Sequence, residues 1–259
     1  MIILNLLKLL RIHQWLKNLM LFFPPFLGGT FFTDGLVLKA LLPFMAFCAA
    51  SSTTYILNDI FDKKNDSHHP DKCKRPIASG QISVASALVL AAILLGFAMV
   101  SAFSIPNHFI VLLVAYLVVS FAYSARLKEY VLVDIFCISA GFLLRLQAGG
   151  AAFNIIISEW LFLSVFLLSV FLSTGKRLAE KQRLGDAAYH HRKALLAYPE
   201  GFLEGAMYLT GGAVLVTYTM YVISRSSSFL LYSVPLCCYG LYAIFSRYNQ
   251  ARVVTQPRR

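Results

Sequence analysis

Apolar runs near the ~17 to 25 residues that carry an α-helix across a bilayer fill most of this 259-residue chain, at 15–33, 36–57, 82–104, 107–124, 131–151, 155–174, 203–224 and 229–246. In hydrocarbon a backbone finds no partner but itself, and runs of this length satisfy it as helices. Only 14 % of the residues are charged, against about a quarter in a soluble domain. The expected fold is therefore all-α, a polytopic transmembrane helical bundle of eight helices, or nine if two spans are merged. One integral membrane domain over 1–259 is expected. No early apolar stretch ends in a small-residue cleavage site, so the first helix is expected to be retained.

The net charge of +11 would suit a nucleic-acid partner, but its placement points to topology. All 23 Lys and Arg residues except Lys39, Arg145 and Arg225 fall in the amino-terminal segment, after helices 2, 4, 6 and 8, and at the carboxyl end. Those segments share one side if eight helices alternate. By the positive-inside rule that side is cytoplasmic, with both termini inside and the chain in the inner (plasma) membrane. The five cysteines (Cys48, Cys73, Cys137, Cys237 and Cys238) form no C-x-x-C pair and read as reduced and structural.

The stretch NDIFDKKNDSHHPDKCKRPIASG, 58 to 80, gathers acids, bases and two histidines in this apolar chain. A bilayer protein tolerates that only where water, a metal or an ionic ligand meets it. Asp59, Asp62 and Asp66 stand at i, i+3 and i+7, so a helix continuing through them projects three carboxylates from one face. Their repulsion calls for a hard cation with oxygen ligands, Mg2+ first, which leaves coordination positions for phosphate oxygens. Lys72 to Arg75 read as counter-charge for those phosphates.

Other polar groups cluster in four stretches. RIHQWLKN (11 to 18) reads as an interfacial belt, with Trp15 at headgroup depth and Arg11 and Lys17 as topology anchors. In the segment 123–134, YSARLKEYVLVD, Lys128 and Asp134 precede helix 5. Arg145, deep in that helix, costs at least ~2.5 kcal/mol on insertion scales and must face the interior and meet an anion, a carboxylate or a bound phosphate. Asp134 lies about 16 Å below it on an ideal helix, too far for a direct pair. STGKRLAEKQRLGD is expected to open the loop after helix 6, which ends near HHRKALLAYPEG, so that 173–200 forms a third polar loop. No tetrahedral zinc spacing, phosphate-binding glycine loop or nucleophile elbow is present.

NDIFDKKND fits the N-D-x-x-D-x-x-x-D signature of the UbiA superfamily of intramembrane prenyltransferases, and HPDKCKRPIASG resembles its usual continuation. QWLKN, YSARLK with Asp134, LLRLQAGG and STGKRLAE resemble one branch, the decaprenyl-phosphate phosphoribosyltransferases. The likeness runs from Arg11 to about Tyr221. Members generally have nine helices, and many aromatic prenyltransferases carry a second D-x-x-x-D motif, where this chain has only Glu129 and Asp134.

The resemblance implies transfer of 5-phosphoribose from phosphoribosyl diphosphate to a polyprenyl phosphate, releasing diphosphate with Mg2+. It implies Asp59, Asp62 and Asp66 at the metal, Asp134 near the metal or ribose hydroxyls, and Asn58 orienting a phosphate or metal ligand. Lys17, Lys72, Arg75, Tyr123, Lys128 and Arg145 would line the substrates, Lys176 and Arg177 would face the acceptor phosphate, and Arg192 and Tyr198 would cap the site. Two other readings remain: prenyl transfer to an aromatic or lipid acceptor, and a membrane transporter, against which the polar groups concentrate at one side of the bundle.

Overall fold

The computed structural model describes residues 2–30, 36–67, 72–106, 108–184, 197–225 and 228–255, and every regular element among them is helical. Helix α1 spans Ile2–Leu10, a 3₁₀ helix Ile12–Phe22 and α2 Phe23–Leu27. These are followed by α3, Leu36–Phe61, and the short α4, Lys63–Ser67. Helices α5, Val84–Phe103, α6, Phe109–Ala125, α7, Val133–Phe153, and α8, Glu159–Leu184, come next. The last are α9, Phe202–Ser224, α10, Ser228–Leu231, and α11, Ser233–Thr255.

Six helices among the described residues are long and apolar enough to cross a bilayer, and α6 is a shorter apolar helix of 17 residues. The chain is a multi-pass membrane protein. Lipid-facing character is plain on α5, where Leu88, Val89, Ile93, Phe97, Val100 and Phe103 are exposed in a contiguous apolar surface that water would not tolerate.

Two expectations from sequence change here. The described part of the run 15–33 is not one α-helix but the 3₁₀ helix through Phe22 followed by α2. Arg11 adopts a left-handed backbone, φ 52° and ψ 49°, that ends α1. Pro24 and Pro25, which lack an N–H, occupy the first turn of α2. The segment 173–184 is not a loop either, because α8 runs on to Leu184. Its Lys, Arg, Leu, Ala, Glu and Gln residues are strong helix formers.

The chain folds as two compact units, Met1–Arg126 with Leu144–Ile156, and Leu127–Leu143 with Ile157–Arg259. In the first, α3 packs against α5, α6, α1 and the 3₁₀ helix. Small residues make this possible: Ala46, Ala49 and Ala50 of α3 and Ala87, Ala91, Ala98 and Ala102 of α5 are buried, and small side chains let helix backbones approach where lipid supplies no hydrophobic drive. Phe47, Phe109, Leu113 and Tyr116 fill the remaining space. Gly149 meets the backbone at Leu21, whose carbonyl carbon would lie 2.8 Å from a Cβ. Only glycine admits the 3₁₀ helix there.

In the second unit α8 packs against α9 and α11. Phe171, Leu178, Leu203 and Met207 form its core with Ile135 and Tyr198. Gly175 admits the Tyr248 ring, whose Cδ2 would stand 2.7 Å from a Cβ.

Candidate active site

The acidic run lies at the end of α3, where helical bonding outlasts the helix proper. The Asp62 amide donates to the Asn58 carbonyl at 2.9 Å and the Asp66 amide to the Asp62 carbonyl at 2.7 Å. The turn through 58–66 therefore keeps the one-face arrangement expected from the spacing. Asp59 and Asp66 are buried, while Asn58 and Asp62 are half-buried.

One guanidinium joins the two buried acids. Arg75 Nη1 lies 3.1 Å from Asp59 Oδ1 and 2.6 Å from Asp66 Oδ2. The loop that delivers it is well fixed. The Arg75 amide donates to the Lys72 carbonyl, and its own carbonyl accepts from the Ser79 amide and hydroxyl. Ile77, fully buried among Leu9, Ile56, Ala87 and Ala91, anchors the loop to the bundle. Gly80 turns it at φ +74°, a conformation side-chain-bearing residues rarely adopt. The sequence RPIASG thus reads as an anchor and a turn built to hold Arg75.

A second arginine meets Asp59. Arg11 donates through Nη2 to Asp59 Oδ1, and its guanidinium carbon lies 5.0 Å from the centre of the Tyr55 ring. The sequence reading made Arg11 a topology anchor and missed this contact. The available signal was its place beside the polar QWLKN segment.

Arg145 is buried, as its depth in the span requires. Its Nε donates to Asn18 Oδ1 at 2.8 Å, Nη2 donates to the Tyr116 hydroxyl at 2.9 Å, and the guanidinium lies 4.4 Å from that ring's centre. Both of these acceptors are neutral, an amide oxygen and a phenol. Asn18, fully buried, donates in turn to Ser51 Oγ and Cys48 Sγ. Trp15 donates to Ser52 Oγ at 3.0 Å. The QWLKN segment is thereby tied to α3 by Trp15 and to α7 by Asn18, while Lys17 is exposed.

The second unit holds its own charged cluster. Arg177 Nε donates to Asp134 Oδ2 at 2.5 Å, and Nη1 pairs with Glu180. The Tyr198 hydroxyl donates to Asp134 Oδ1 at 3.1 Å and accepts the Leu132 amide at 3.0 Å. Lys181 Nζ donates to the Tyr198 carbonyl at 2.7 Å. Burial, with the Asp134 charge adding to it against the Leu132 bond, pushes the Tyr198 phenol up to about 12. Lys176, one residue before Arg177 on the helix, is exposed; Tyr123 in the first unit and Lys128 in the second are half-buried. Arg192 lies outside the described residues.

Among the described residues no three His, Cys, Asp or Glu side chains stand close enough to hold an ion by themselves. Asp59 and Asp66 converge on one cationic nitrogen, with half-buried Asp62 between them in sequence. That arrangement fits Mg2+, which is ordinarily held by one or two carboxylates together with waters and substrate phosphates rather than by an all-protein cage.

An all-helical membrane protein with buried carboxylates gathered around arginines is the class these features define. Residues 22–258 match the model of the UbiA prenyltransferase family. A decaprenyl-phosphate phosphoribosyltransferase of Mycolicibacterium smegmatis is 33% identical over 225 residues, covering 85% of this chain and 71% of its own. One from Mycobacterium tuberculosis is 32% identical over 225 residues, covering 84% and 74%. A UbiA homolog from Archaeoglobus fulgidus, solved bound to DMAPP and Mg2+, has the same fold, with a TM-score of 0.78 at 18% identity over 94% of this chain and 86% of its own. The chain belongs to the UbiA prenyltransferase family and is a transferase.

Proposed function

We propose that this protein transfers 5-phosphoribose from phosphoribosyl diphosphate to a polyprenyl phosphate, with Mg2+, and releases diphosphate. The observation that carries the reading is the pair of buried carboxylates, Asp59 and Asp66, meeting at one cationic nitrogen on a loop rich in basic residues. Similarity to decaprenyl-phosphate phosphoribosyltransferases over most of the chain supports the choice of donor and acceptor.

The acceptor phosphate is ionised at neutral pH, so its oxygen attacks the anomeric carbon with no general base. The bond from that carbon to the diphosphate oxygen breaks, and the electron pair leaves with diphosphate. Bound Mg2+ would neutralise charge on the leaving group. Asp59, Asp62 and Asp66 supply its carboxylates, and Asn58 orients a phosphate oxygen. Lys72 and Arg75 neutralise the diphosphate, a task in which arginine can fork two oxygens and lysine acts as a point charge. Arg145, held by Asn18 and Tyr116, directs a fixed positive charge at an anionic substrate, and Lys17 belongs to the same phosphate-binding set.

In the second unit, Asp134 holds Arg177 and Tyr198 in a set geometry, so Arg177 acts on substrate only through that ion pair. Lys128, in the turn that precedes α7, and exposed Lys176 are the candidates for acceptor-lipid phosphate. The concentration of Lys and Arg on alternate loops supports a cytoplasmic active face at the inner membrane, where soluble phosphorylated donors and Mg2+ are found.

The test is diphosphate release by purified protein offered each substrate pair. Phosphoribosyl diphosphate with polyprenyl phosphate should release it, and prenyl diphosphate with an aromatic acid should not. The reverse pattern would make the chain an aromatic prenyltransferase of the same family. Flux across proteoliposomes with no chemical product would make it a transporter.

A further inference from the structure

Asp59 and Asp66 do not depend equally on Arg75. Asp59 has a second cation in Arg11, and that arginine is fixed by its left-handed backbone and by the Tyr55 ring. Asp66 receives Arg75 through the same nitrogen that also serves Asp59. If Arg75 moved, Asp59 would keep a counter-charge at once. Asp66 would need a new cation in its place.

Solvent reaches the three groups unequally as well. The Arg75 side chain is 26% exposed, whereas Asp59 and Asp66 are 3% and 4% exposed. The guanidinium therefore covers the acids from the open side. Its backbone is fixed by the Ile77 anchor and the bonds to Lys72 and Ser79, so the side chain alone must change position. Nitrogens on a planar fork suit such an exchange, because phosphate and carboxylate offer the same kind of acceptor.

We propose that Arg75 is a placeholder cation that occupies the Asp66 carboxylate until metal and a diphosphate arrive together, and then passes to the diphosphate. Arg11 keeps Asp59 neutralised throughout. The inference rests on the metal site of the proposed function and adds an order to it: the protein resists metal alone and accepts metal with diphosphate. A buried acid pair left bare would bind stray divalent ions and hold them unproductively. Arg75 prevents this, because a competing ion must first displace a charge-assisted contact, whereas a metal diphosphate offers the displaced guanidinium a new anion.

The test is Mn2+ binding followed by electron paramagnetic resonance, with the full-length protein in lipid nanodiscs and either Mn2+ alone or Mn2+ with inorganic diphosphate. Wild type should bind Mn2+ weakly alone and at least about fivefold tighter with diphosphate, the low end of ordinary site coupling. Arg75→Gln should bind Mn2+ alone at least about fivefold tighter than wild type and lose most of the diphosphate enhancement. Arg75→Lys keeps the charge and should keep the weak binding of Mn2+ alone. Asp66→Asn should bind Mn2+ in neither condition.

If Asp66→Asn loses Mn2+ but Arg75→Gln binds it no tighter than wild type, the placeholder is overturned and the metal site stands. If Asp66→Asn binds Mn2+ like wild type, the metal site falls and the placeholder with it. Should Arg75→Gln not fold, wild type decides: Mn2+ bound equally well with and without diphosphate overturns the placeholder.

Discussion

Arg177 donates through Nε to Asp134 Oδ2 at 2.5 Å, and both side chains are shut off from solvent. They join the beginning of α7 to α8 within one unit. Asp134 also takes the Tyr198 hydroxyl, so the residues before α9 are fastened to the same carboxylate.

Removing one member of that pair takes from the other its most deeply buried counter-charge. Asp134→Ala or Arg177→Ala should each cost about 3 to 5 kcal/mol, the range for breaking a buried ion pair by removing one partner. The double change Asp134→Leu with Arg177→Met should cost much less than the sum of the two. Thermal unfolding in detergent, read as a double-mutant cycle, checks this; single variants as stable as wild type would show the pair to be idle.

The Tyr198 phenol predicts a loss of stability at high pH. Burial raises its folded pKa from an ordinary 10.0 to about 12. A group whose folded pKa is raised contributes fully below its unfolded pKa and loses that contribution as pH climbs through the folded value. Wild type should therefore lose an increment of Tm between about pH 10 and pH 12 that Tyr198→Phe does not show. Parallel curves for the two proteins would contradict the assignment.

At Gly149 there is no room for a side chain against the Leu21 backbone. Gly149→Ala should force the 3₁₀ helix and α7 apart and cost about 1 to 3 kcal/mol, the usual penalty for overpacking. Gly96, with open space around its Cβ position, is the control, and Gly96→Ala should be neutral or gain up to ~1 kcal/mol. Equal Tm changes at the two sites would refute the close contact.

For Arg145, donor kinetics separate two roles. Arg145→Ala should raise the donor KM or lower kcat in protein that still inserts and folds, and Asn18→Ala should do the same more mildly by leaving Arg145 Nε without its acceptor. Loss of fold with an unchanged donor KM in the surviving fraction would assign Arg145 to structure alone.

The transmembrane helices were legible because hydropathy is a local property, and α3, α5, α7, α8 and α9 fall where the apolar runs do. The break at Arg11 was not, because a left-handed backbone at a residue other than glycine leaves no mark in hydropathy, and the partners of its side chain, Asp59 and Tyr55, lie far along the chain. Basic residues after 175 read as topology marks, and that concealed the continued helix to Leu184 despite its strong helix formers. The acids of the candidate site were visible in their spacing. Which arginine meets which acid was not, since Arg11 and Arg75 reach Asp59 from opposite sides in sequence.

The measurement that bears most directly on the function is mass spectrometry of lipids after incubating purified protein with isotope-labelled phosphoribosyl diphosphate, defined polyprenyl phosphates and Mg2+. Labelled phosphoribosyl polyprenyl phosphate should appear with wild type, vanish on chelation, and fall roughly 100- to 1,000-fold with Asp62→Asn or Asp66→Asn in protein that remains folded. Label confined to water-soluble products, or Asp66→Asn with wild-type turnover, would contradict the account.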